Sequence, residues 1–273
     1  MIIIGEKING FIPKTLAAIE ARDEAYIRLI AKAQAEGNAN YLDICAGTAP
    51  DVERETMEWL IGLAQDEVET PLCLDSSDPQ VLLDMLQRVK KPGLLNSVSL
   101  EVGDDGRTKC EVIFSAIADT TWGVVALTCD NKGIPDDPEV KFEIAAKIID
   151  QAAAAGIAPE RIYIDPLVTT LATKQDSLLN FTEAVKLIGA VYPRVHFTSG
   201  LSNISFGMPF RKAINTQFLT LAMAAGMDSA IMDPTSPDMQ ATLHATEALL
   251  GKDEYCMEYL TGYRAGLFGA QPA

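Results

Sequence analysis

The chain has 273 residues, of which 48% are hydrophobic, and a formal net charge of −16. So acidic a chain lacks the basic face by which proteins bind nucleic acid or an anionic membrane surface. No segment is long and apolar enough to span a bilayer, and the N-terminus lacks a signal-peptide pattern, so we expect a cytoplasmic protein. The five cysteines form no Cys-x-x-Cys pair, which argues against a disulfide framework or a structural zinc site.

The predicted elements recur as a unit of roughly thirty residues: a short apolar or β-branched run, a polar loop and a helical pattern. Eight of the short runs are predicted to be strands. In chain order they are MIIIGEKIN (1–9), NYLDICAG (40–47), PLCLDSSD (71–78), GLLNSVSL (93–100), GVVALTCD (123–130), RIYIDPLV (161–168), VHFTSGLSN (195–203) and DSAIMDP (228–234). Strands that alternate with helices in this way pair in parallel.

Two of the intervening segments carry apolar residues at helical spacing. They are Met57, Leu60, Ile61, Ala64 and Val68 in the first, and Ile214, Phe218, Leu221 and Ala225 in the second. Asp78 followed by Pro79 is typical of a helix N-cap with proline at the first helical position. Gly37, Gly156 and Gly226 lie where helices are predicted to end.

Eight βα units in a chain of this length predict a (β/α)8 TIM barrel, and we expect residues 1–273 to form a single domain. The alternative is an open, doubly wound sheet, which more often has fewer strands and a Gly-x-Gly-x-x-Gly turn after the first one. Here the first predicted strand runs into GEKING instead. The sequence therefore favours the barrel.

Polar residues stand at the C-terminal end of nearly every predicted strand, which is where TIM barrels carry their active sites. They are Glu6, Asn9, Asp43, Asp75, Ser76, Ser77, Asn96, Ser97, Asp130, Asn131, Asp165, Ser202, Asn203 and Asp233. Asp75 and Asp165 directly follow apolar runs, where an unpaired charge is costly, so each is either a paired core acid or an acceptor for a ligand. Asp43, Asp130 and Asp233 are as readily explained by hydrogen bonds to backbone amides in their loops.

Two classes of ligand suit a mouth that is rich in carboxylates and carboxamides. Their oxygen atoms suit Mg²⁺ or Ca²⁺, as in a metal-dependent lyase or aldolase. They also suit a flat heterocycle with several N–H donors, such as a pterin or a purine-like ring. Zinc is disfavoured because His196 lies early in the seventh predicted strand and His244 in the last predicted helix, without partners at ligand spacing. The same scarcity of histidine leaves no evident Cys–His or Ser–His nucleophile.

Five motifs occur together and in order along the chain: GEKIN, LCLDSSD, LLNSVS, YIDPL and GLSNISFGMPFRKAIN. In this combination the chain resembles the pterin-binding barrel family, and within it the methyltetrahydrofolate:corrinoid protein methyltransferases, relatives of the folate domain of cobalamin-dependent methionine synthase. The resemblance covers essentially the whole chain, and the last motif is the most specific. It implies tetrahydrofolate or 5-methyltetrahydrofolate as substrate, no protein-bound metal, and a homodimer, the usual state in the family.

The resemblance also implies a pterin lying across the barrel mouth. By matched position, Asp75, Asn96 and Asp165 would hold the donor–acceptor edge of the ring. Asn203 would lie beside N5, the nitrogen that carries the methyl group. The pocket would be completed by Gly200, Ser202, Arg211 and Glu6. A structural ion pair at the mouth is an equal explanation for Arg211.

Asn203 is the candidate catalytic residue. A tertiary amine is a poor leaving group, so charge that develops on N5 must be met by a proton or a strong hydrogen bond. A carboxamide can donate to one protonation state of N5 and accept from the other. The corrinoid (cobalamin) would be presented by a separate protein, because relatives that carry it use an Asp-x-His-x-x-Gly motif and neither histidine here has that context.

The sequence departs from the family pattern at two strands. Strand two reads DICAG where relatives often have Asp-Leu-Asn before the glycine, and strand five reads LTCDNKGIP where a Met-Asn pair is usual. These differences favour folate as the methyl acceptor, as in anaerobic demethylation of methylated amines or ethers. Dihydropteroate synthase, the other main branch, is the weaker interpretation because its Ser-Thr-Arg loop and its lysine motif near strand seven are absent from the sequence. A non-catalytic folate-binding protein is the remaining class.

Overall fold

Eight parallel strands, joined by helices, form the centre of the computed structural model, which describes residues 1–269. The strands are Ile2–Asn9 (β1), Tyr41–Cys45 (β2), Leu72–Asp75 (β3), Leu94–Leu100 (β4), Gly123–Asp130 (β5), Ile162–Asp165 (β6), His196–Phe197 (β7) and Ser229–Met232 (β8). From β1 to β7 each strand pairs with the next along the chain, and β8 pairs with β1. The predicted (β/α)8 barrel is therefore confirmed, and each predicted strand lies at or near its expected position.

Helices surround the strands. They are Pro13–Glu20 (α1), Glu24–Glu36 (α2), Pro50–Glu67 (α3), Pro79–Leu86 (α4), Lys109–Ile117 (α5), Pro138–Ala154 (α6), Ser177–Val191 (α7), Arg211–Ala225 (α8), Pro237–Leu249 (α9) and Met257–Arg264 (α10). His244 lies in α9, so its predicted place in the last helix was wrong. After α9 the chain forms one more helix, α10. The Asp253 carboxylate stabilises its first turn by accepting hydrogen bonds from the backbone N–H groups of Glu258 and Tyr259. No helix within residues 1–269 is long and apolar enough to cross a membrane.

The seventh strand is much shorter than the predicted 195–203 run. Regular pairing stops after Phe197, and the chain turns at Gly200 into the 3₁₀ helix Leu201–Ser205. Single backbone bonds still join this segment to both neighbours, from Thr198 N–H to the Ile164 carbonyl and from Ile231 N–H to the Ser199 carbonyl, each 2.9 Å long. The barrel thus closes with one irregular side, which turns the chain over the mouth.

The apolar core has an inner and an outer layer. Inside the barrel lie Ile4, Cys73, Leu94, Val125 and Tyr163, and a larger cluster fills the space between strands and helices. In α3 the predicted stripe is buried at Met57, Leu60, Ile61 and Ala64. Fully burying side chains of this size contributes about 1.5–3 kcal/mol each.

The predicted apolar face of α8 was partly wrong. Phe218 is buried, as expected, but Leu221 is 48% exposed and the inner face is completed by Leu219, Ala222 and Met223. Helix α8 packs against both α7 and α9, so its inner face includes residues adjacent to the predicted ones.

The predicted helix boundaries are confirmed. The Asp78 carboxylate accepts a 2.8 Å hydrogen bond from the Gln80 N–H at the start of α4. Gly37 and Gly226 directly follow the last residues of α2 and α8, and Gly226 has a φ of 121° that favours glycine. Gly156 lies two residues beyond the end of α6 with a φ of 79°.

His196 and Asp228 form an ion pair at the end of the barrel opposite the mouth. Nδ1 of His196 lies 2.7 Å from Oδ2 of Asp228, whose other oxygen accepts the Phe197 N–H. The hydrogen bond to Asp228 raises the pKa of His196, and Glu160 adds to this effect.

We expect this ion pair to make stability depend on pH. Because the pKa of His196 is higher in the folded than in the unfolded state, its contribution is complete below about pH 6.5 and is lost as the pH rises through the folded-state value. The free energy of unfolding of His196→Gln should therefore fall short of wild type by more at pH 5.5 than at pH 8.5. A difference that is the same at both pH values would contradict this assignment.

Candidate active site

A cavity of about 320 Å³ opens at the C-terminal ends of the strands. It is lined by Glu6, Asn9, Asp43, Asp75, Ser76, Ser77, Asn96, Ser97, Leu127, Asp165, Leu167, Gly200, Ser202, Asn203 and Ile231. All the predicted site residues except Arg211 are in this set. The strands bring them together because in a parallel barrel every strand ends at the same rim.

Strand register places the polar groups of β2, β3 and β4 side by side. Asp75 is level with Cys45 on one neighbouring strand and with Asn96 on the other. Backbone N–H of Ser76 donates to the Asn96 carbonyl at 2.9 Å, which fixes the end of β3 against β4. Asp75 and Asn96 therefore present a carboxylate and a carboxamide next to each other in the cavity wall.

Asp43 lies deeper in the cavity and is only 1% exposed. Its carboxyl group is hydrogen-bonded to the side chains of Cys73 and Asn96, while Oδ1 has no partner among the described residues. From the sequence, hydrogen bonds to loop amides explained Asp43 as well as ligand binding did, and the structure places its side chain inside the cavity. The alternation along β2 was the available signal, because Asp43 and Cys45 are two residues apart and so share a face.

Asp165 ends β6 with its side chain 5% exposed. Its Oδ1 accepts a 2.7 Å hydrogen bond from the backbone N–H of Leu167, and the Gly200 N–H also bonds the carboxyl group. Burial raises the pKa of Asp165 to about 6, against the lowering effect of these bonds and of Lys141. Asp165 is thus a desolvated carboxyl with further acceptor capacity toward the cavity.

The cavity concentrates carboxyl groups in a poorly solvated place. Burial raises the pKa of Asp75 to about 6. Burial, followed by repulsion from Asp233, raises the pKa of Glu6 to about 7. Burial, and then the charge of Asp75, raises the pKa of Asp43 well above its usual range. Each of these carboxylates would be stabilised by hydrogen-bond donors from a ligand.

The segment after β7 carries Asn203, whose side chain is exposed at the mouth. Within residues 1–269 its carboxamide has no hydrogen-bond partner, so both its donor and its acceptor are available. A Cβ on Gly200 would lie 3.0 Å from Nδ2 of Asn203. Since Gly200 has an ordinary φ of −72°, its lack of a side chain matters here for space, because a Cβ would make the Asn203 carboxamide shift by a few tenths of an ångström.

Arg211 braces this segment from the first turn of α8. Its guanidinium donates to the Ser202 carbonyl at 2.6 Å and to Oγ of Ser205 at 3.0 Å. Among the described residues Arg211 has no carboxylate partner, so the expected alternative of an ion pair is not observed, and Arg211 does not line the main cavity. Arg211 instead lines an adjoining cavity of about 330 Å³, which shares Glu6 and Ser202 with the first.

The remaining rim acids have structural partners. Asp233 forms a 2.9 Å ion pair with Lys7 and accepts the Thr235 N–H. Asp130 accepts the Lys132 N–H in the loop after β5. Among the described residues, no group of three or more His, Cys, Asp or Glu side chains is arranged to hold a metal ion.

A (β/α)8 barrel with a polar cavity at the C-terminal ends of its strands is the architecture of an enzyme that acts on a small molecule. Comparison with known proteins identifies the family: the model of pterin-binding enzymes matches residues 17–233, and the chain belongs to that family. Two kinds of curated relative are informative. The chain is 50% identical over 271 residues, 98% of each protein, to a methylcorrinoid:tetrahydrofolate methyltransferase from Eubacterium limosum.

The second relative is a methionine synthase from Mycobacterium leprae, 32% identical over 240 residues. That match takes in 85% of this chain but only 20% of the larger protein. Among solved structures, the dihydropteroate synthase of Xanthomonas albilineans in complex with 7,8-dihydropteroate has a TM-score of 0.65 over 93% of each chain. At 20% identity this similarity shows the shared fold alone.

We expect Asp75→Asn to stabilise the protein at high pH. Burial raises the pKa of Asp75 to about 6, so the ionised form is penalised in the folded state and stability falls as the pH rises from about 4 to 6. The amide cannot ionise, and the variant should gain about 1–2 kcal/mol in free energy of unfolding at pH 8, with little change at pH 4. Urea unfolding at the two pH values measures this. Equal or lower stability of the variant at pH 8 would contradict the stated cause.

Proposed function

We propose that the protein transfers a methyl group from a methylated corrinoid protein to N5 of tetrahydrofolate, giving 5-methyltetrahydrofolate. The observation that carries this proposal is the 50% identity, over 98% of both chains, to a relative whose name states the same substrates. Residues 1–273 would act as one catalytic domain. Anaerobic one-carbon metabolism in the cytoplasm is the expected setting.

The cavity chemistry supports a pterin as the bound ring. A pterin offers an exocyclic amine and ring N–H groups, which would donate to the carboxylates of Asp75 and Asp165. Its carbonyl and ring nitrogens would accept from the carboxamide of Asn96. Hydrogen bonds from a ligand to desolvated carboxylates are stronger than neutral ones, so the raised pKa values favour tight binding. Gly200, Ser202 and Glu6 complete the wall.

The adjoining cavity offers room for the rest of the folate molecule. It opens beside Glu6 and Ser202, and Met232 and Met239 give it an apolar side. Arg211 supports the wall between the two cavities through its bonds to the Ser202 carbonyl and Ser205.

Asn203 is the proposed catalytic residue. In the transfer, the N5 lone pair forms the new bond to the methyl carbon, the cobalt–carbon bond breaks with its electron pair left on cobalt, and the N5 proton is released to water. The Asn203 carboxamide would accept from N5–H before transfer and donate to the N5 lone pair afterwards. A fixed charge would serve only one of these states, whereas an amide serves both.

The corrinoid partner would dock over the barrel mouth. Several exposed apolar side chains lie in the loops after β1, β4, β5 and β7, and we call them the mouth patch. Its members are Phe11 (79% exposed), Val102 (45%), Ile134 (47%), Phe206 (69%) and Phe210 (76%). Exposed aromatic residues around a cavity are typical of protein-binding surfaces.

We also propose a homodimer. An apolar cavity of about 490 Å³ lies between α7 and α8, with Leu179 67% exposed and Leu221 48% exposed. A second copy packed on this face would remove both side chains from water.

Two other functions are weaker. A dihydropteroate synthase activity is supported only by structural relatives with 20% identity or less. A metal-dependent lyase or aldolase would use the same acids, and activity that requires Mg²⁺ would favour it.

The test of the proposed function is a spectral assay with tetrahydrofolate and methylcobalamin, in which formation of cob(I)alamin is followed. We expect Asn203→Ala to lower the rate roughly a hundredfold or more, the usual cost of losing one preorganised hydrogen-bond donor, with a smaller effect on folate binding. Asp75→Ala and Asp165→Ala should mainly weaken folate binding. Near-normal turnover in Asn203→Ala would exclude its catalytic role, and no cob(I)alamin formation by wild type with either methylcobalamin or a protein-bound methylcorrinoid would exclude the proposed reaction.

The mouth patch makes a separate prediction. Phe11→Ser and Phe206→Ser should lower kcat/KM for a protein-bound methylcorrinoid by about tenfold each, as expected for aromatic anchors, and leave the rate with methylcobalamin unchanged. Leu249→Ser is the matched control, because this side chain is 83% exposed but lies at the far end of α9. An equal loss with both methyl donors, or an equal effect of the control, would refute docking at the mouth.

A further inference from the structure

Lys141 is a buried cation outside the cavity. It lies in the first turns of α6, and only 3% of the residue is exposed. Its Nζ donates one hydrogen bond, 2.8 Å long, to the backbone carbonyl of Leu167. Burying an ammonium group is costly unless opposite charge and hydrogen bonds compensate, so a residue that only filled space here would be better as Leu or Met.

The carbonyl that Lys141 holds belongs to the turn that aims Asp165 into the cavity. Leu167 has a φ of 58°, a left-handed conformation that side chains with a Cβ rarely adopt. Its N–H donates at 2.7 Å to Oδ1 of Asp165. The backbone carbonyl of Leu167 therefore accepts from Lys141, while the backbone N–H of Leu167 donates to the Asp165 carboxyl group in the cavity wall.

Asp165 is the acid whose charge acts most strongly on Lys141, although the two groups form no direct ion pair among the described residues. The charged groups that act on it are Asp165 at the end of β6, Asp136 just before α6, and Lys174 in the loop before α7. Asp136 and Lys174 form an ion pair with each other. The positive charge of Lys141 also favours the ionised form of Asp165 and lowers its pKa, which burial has raised.

We infer that Lys141 is a positioning residue for substrate binding: through the Leu167 carbonyl it holds the turn that directs the Asp165 carboxyl group at the N–H groups of the pterin. Lys141 itself lies outside the cavity lining. The inference rests on the proposed function, because it assigns Asp165 to the substrate ring.

The test measures tetrahydrofolate affinity between pH 5.5 and pH 8.5 for wild type, Lys141→Met and Lys141→Arg. Without the cation, Asp165 should take up a proton at higher pH, so Lys141→Met should bind about tenfold more weakly than wild type at pH 6.5 and recover most of the difference at pH 8.5. Lys141→Arg keeps the charge and should retain the wild-type pH profile. Lys147→Met, at an exposed position two turns along the same helix, is the control and should change nothing.

A double variant separates the charge effect from simple support of the fold. In Lys141→Met/Asp165→Asn the carboxyl group is gone, so loss of the cation should cause no further loss of affinity beyond Asp165→Asn alone. If Lys141→Met does not fold, Lys141→Gln takes its place, since it removes the charge and keeps an N–H donor.

Two results would overturn the inference. One is a Lys141→Met affinity curve parallel to wild type at every pH, and the other is an equal loss in the presence and absence of the Asp165 carboxyl group. Either would leave Lys141 as a structural residue. Failure of the wild-type protein to bind tetrahydrofolate would instead reject the proposed function, which is a separate outcome.

Discussion

The structure depends on one costly arrangement: carboxyl groups collected at a poorly solvated end of a barrel. The parallel strands impose it, since each ends at the same rim. Asp43, Asp75 and Asp165 lie there without an ion pair to any lysine or arginine among the described residues. Lysine or arginine partners would have stabilised these carboxylates, but their side chains would have filled the cavity. Burial of the apolar layers around the barrel offsets this cost, and a ligand with N–H donors would stabilise the carboxylates on binding.

Two basic residues close to the site show how the acids are kept available. Arg211 hydrogen-bonds the Ser202 carbonyl and Ser205, and Lys141 hydrogen-bonds the Leu167 carbonyl. Both cations therefore support the backbone from outside the main cavity. A cation inside it would pair directly with a carboxylate and compete with the ligand for the same oxygens.

Much of the fold and of the candidate site could be predicted from the sequence, because the signals involved are local. The alternation of strands with helices predicted the barrel. The position of Asp75 directly after an apolar run predicted a carboxyl group at its mouth. The predictions that were wrong or incomplete concern features that depend on contacts between residues distant in sequence. The early end of β7 follows from the turn at Gly200, and the inner face of α8 depends on its neighbours. The partners of Arg211 and the burial of Asp43 likewise became visible only in three dimensions.

The neutral residue among the acids follows from the same constraint. In the proposed reaction the carboxyl groups would accept from N–H donors at the edge of the pterin ring, but a nitrogen that changes its protonation state would need both a donor and an acceptor. Asn203 offers both, and it stands on a 3₁₀ turn where its carboxamide has no competing bond within residues 1–269. Gly200 leaves the space that this carboxamide occupies, with Nδ2 only 3.0 Å from where a Cβ would stand. The irregular end of β7, which breaks the barrel's regular pairing, is thus what puts an uncharged amide beside the charged wall.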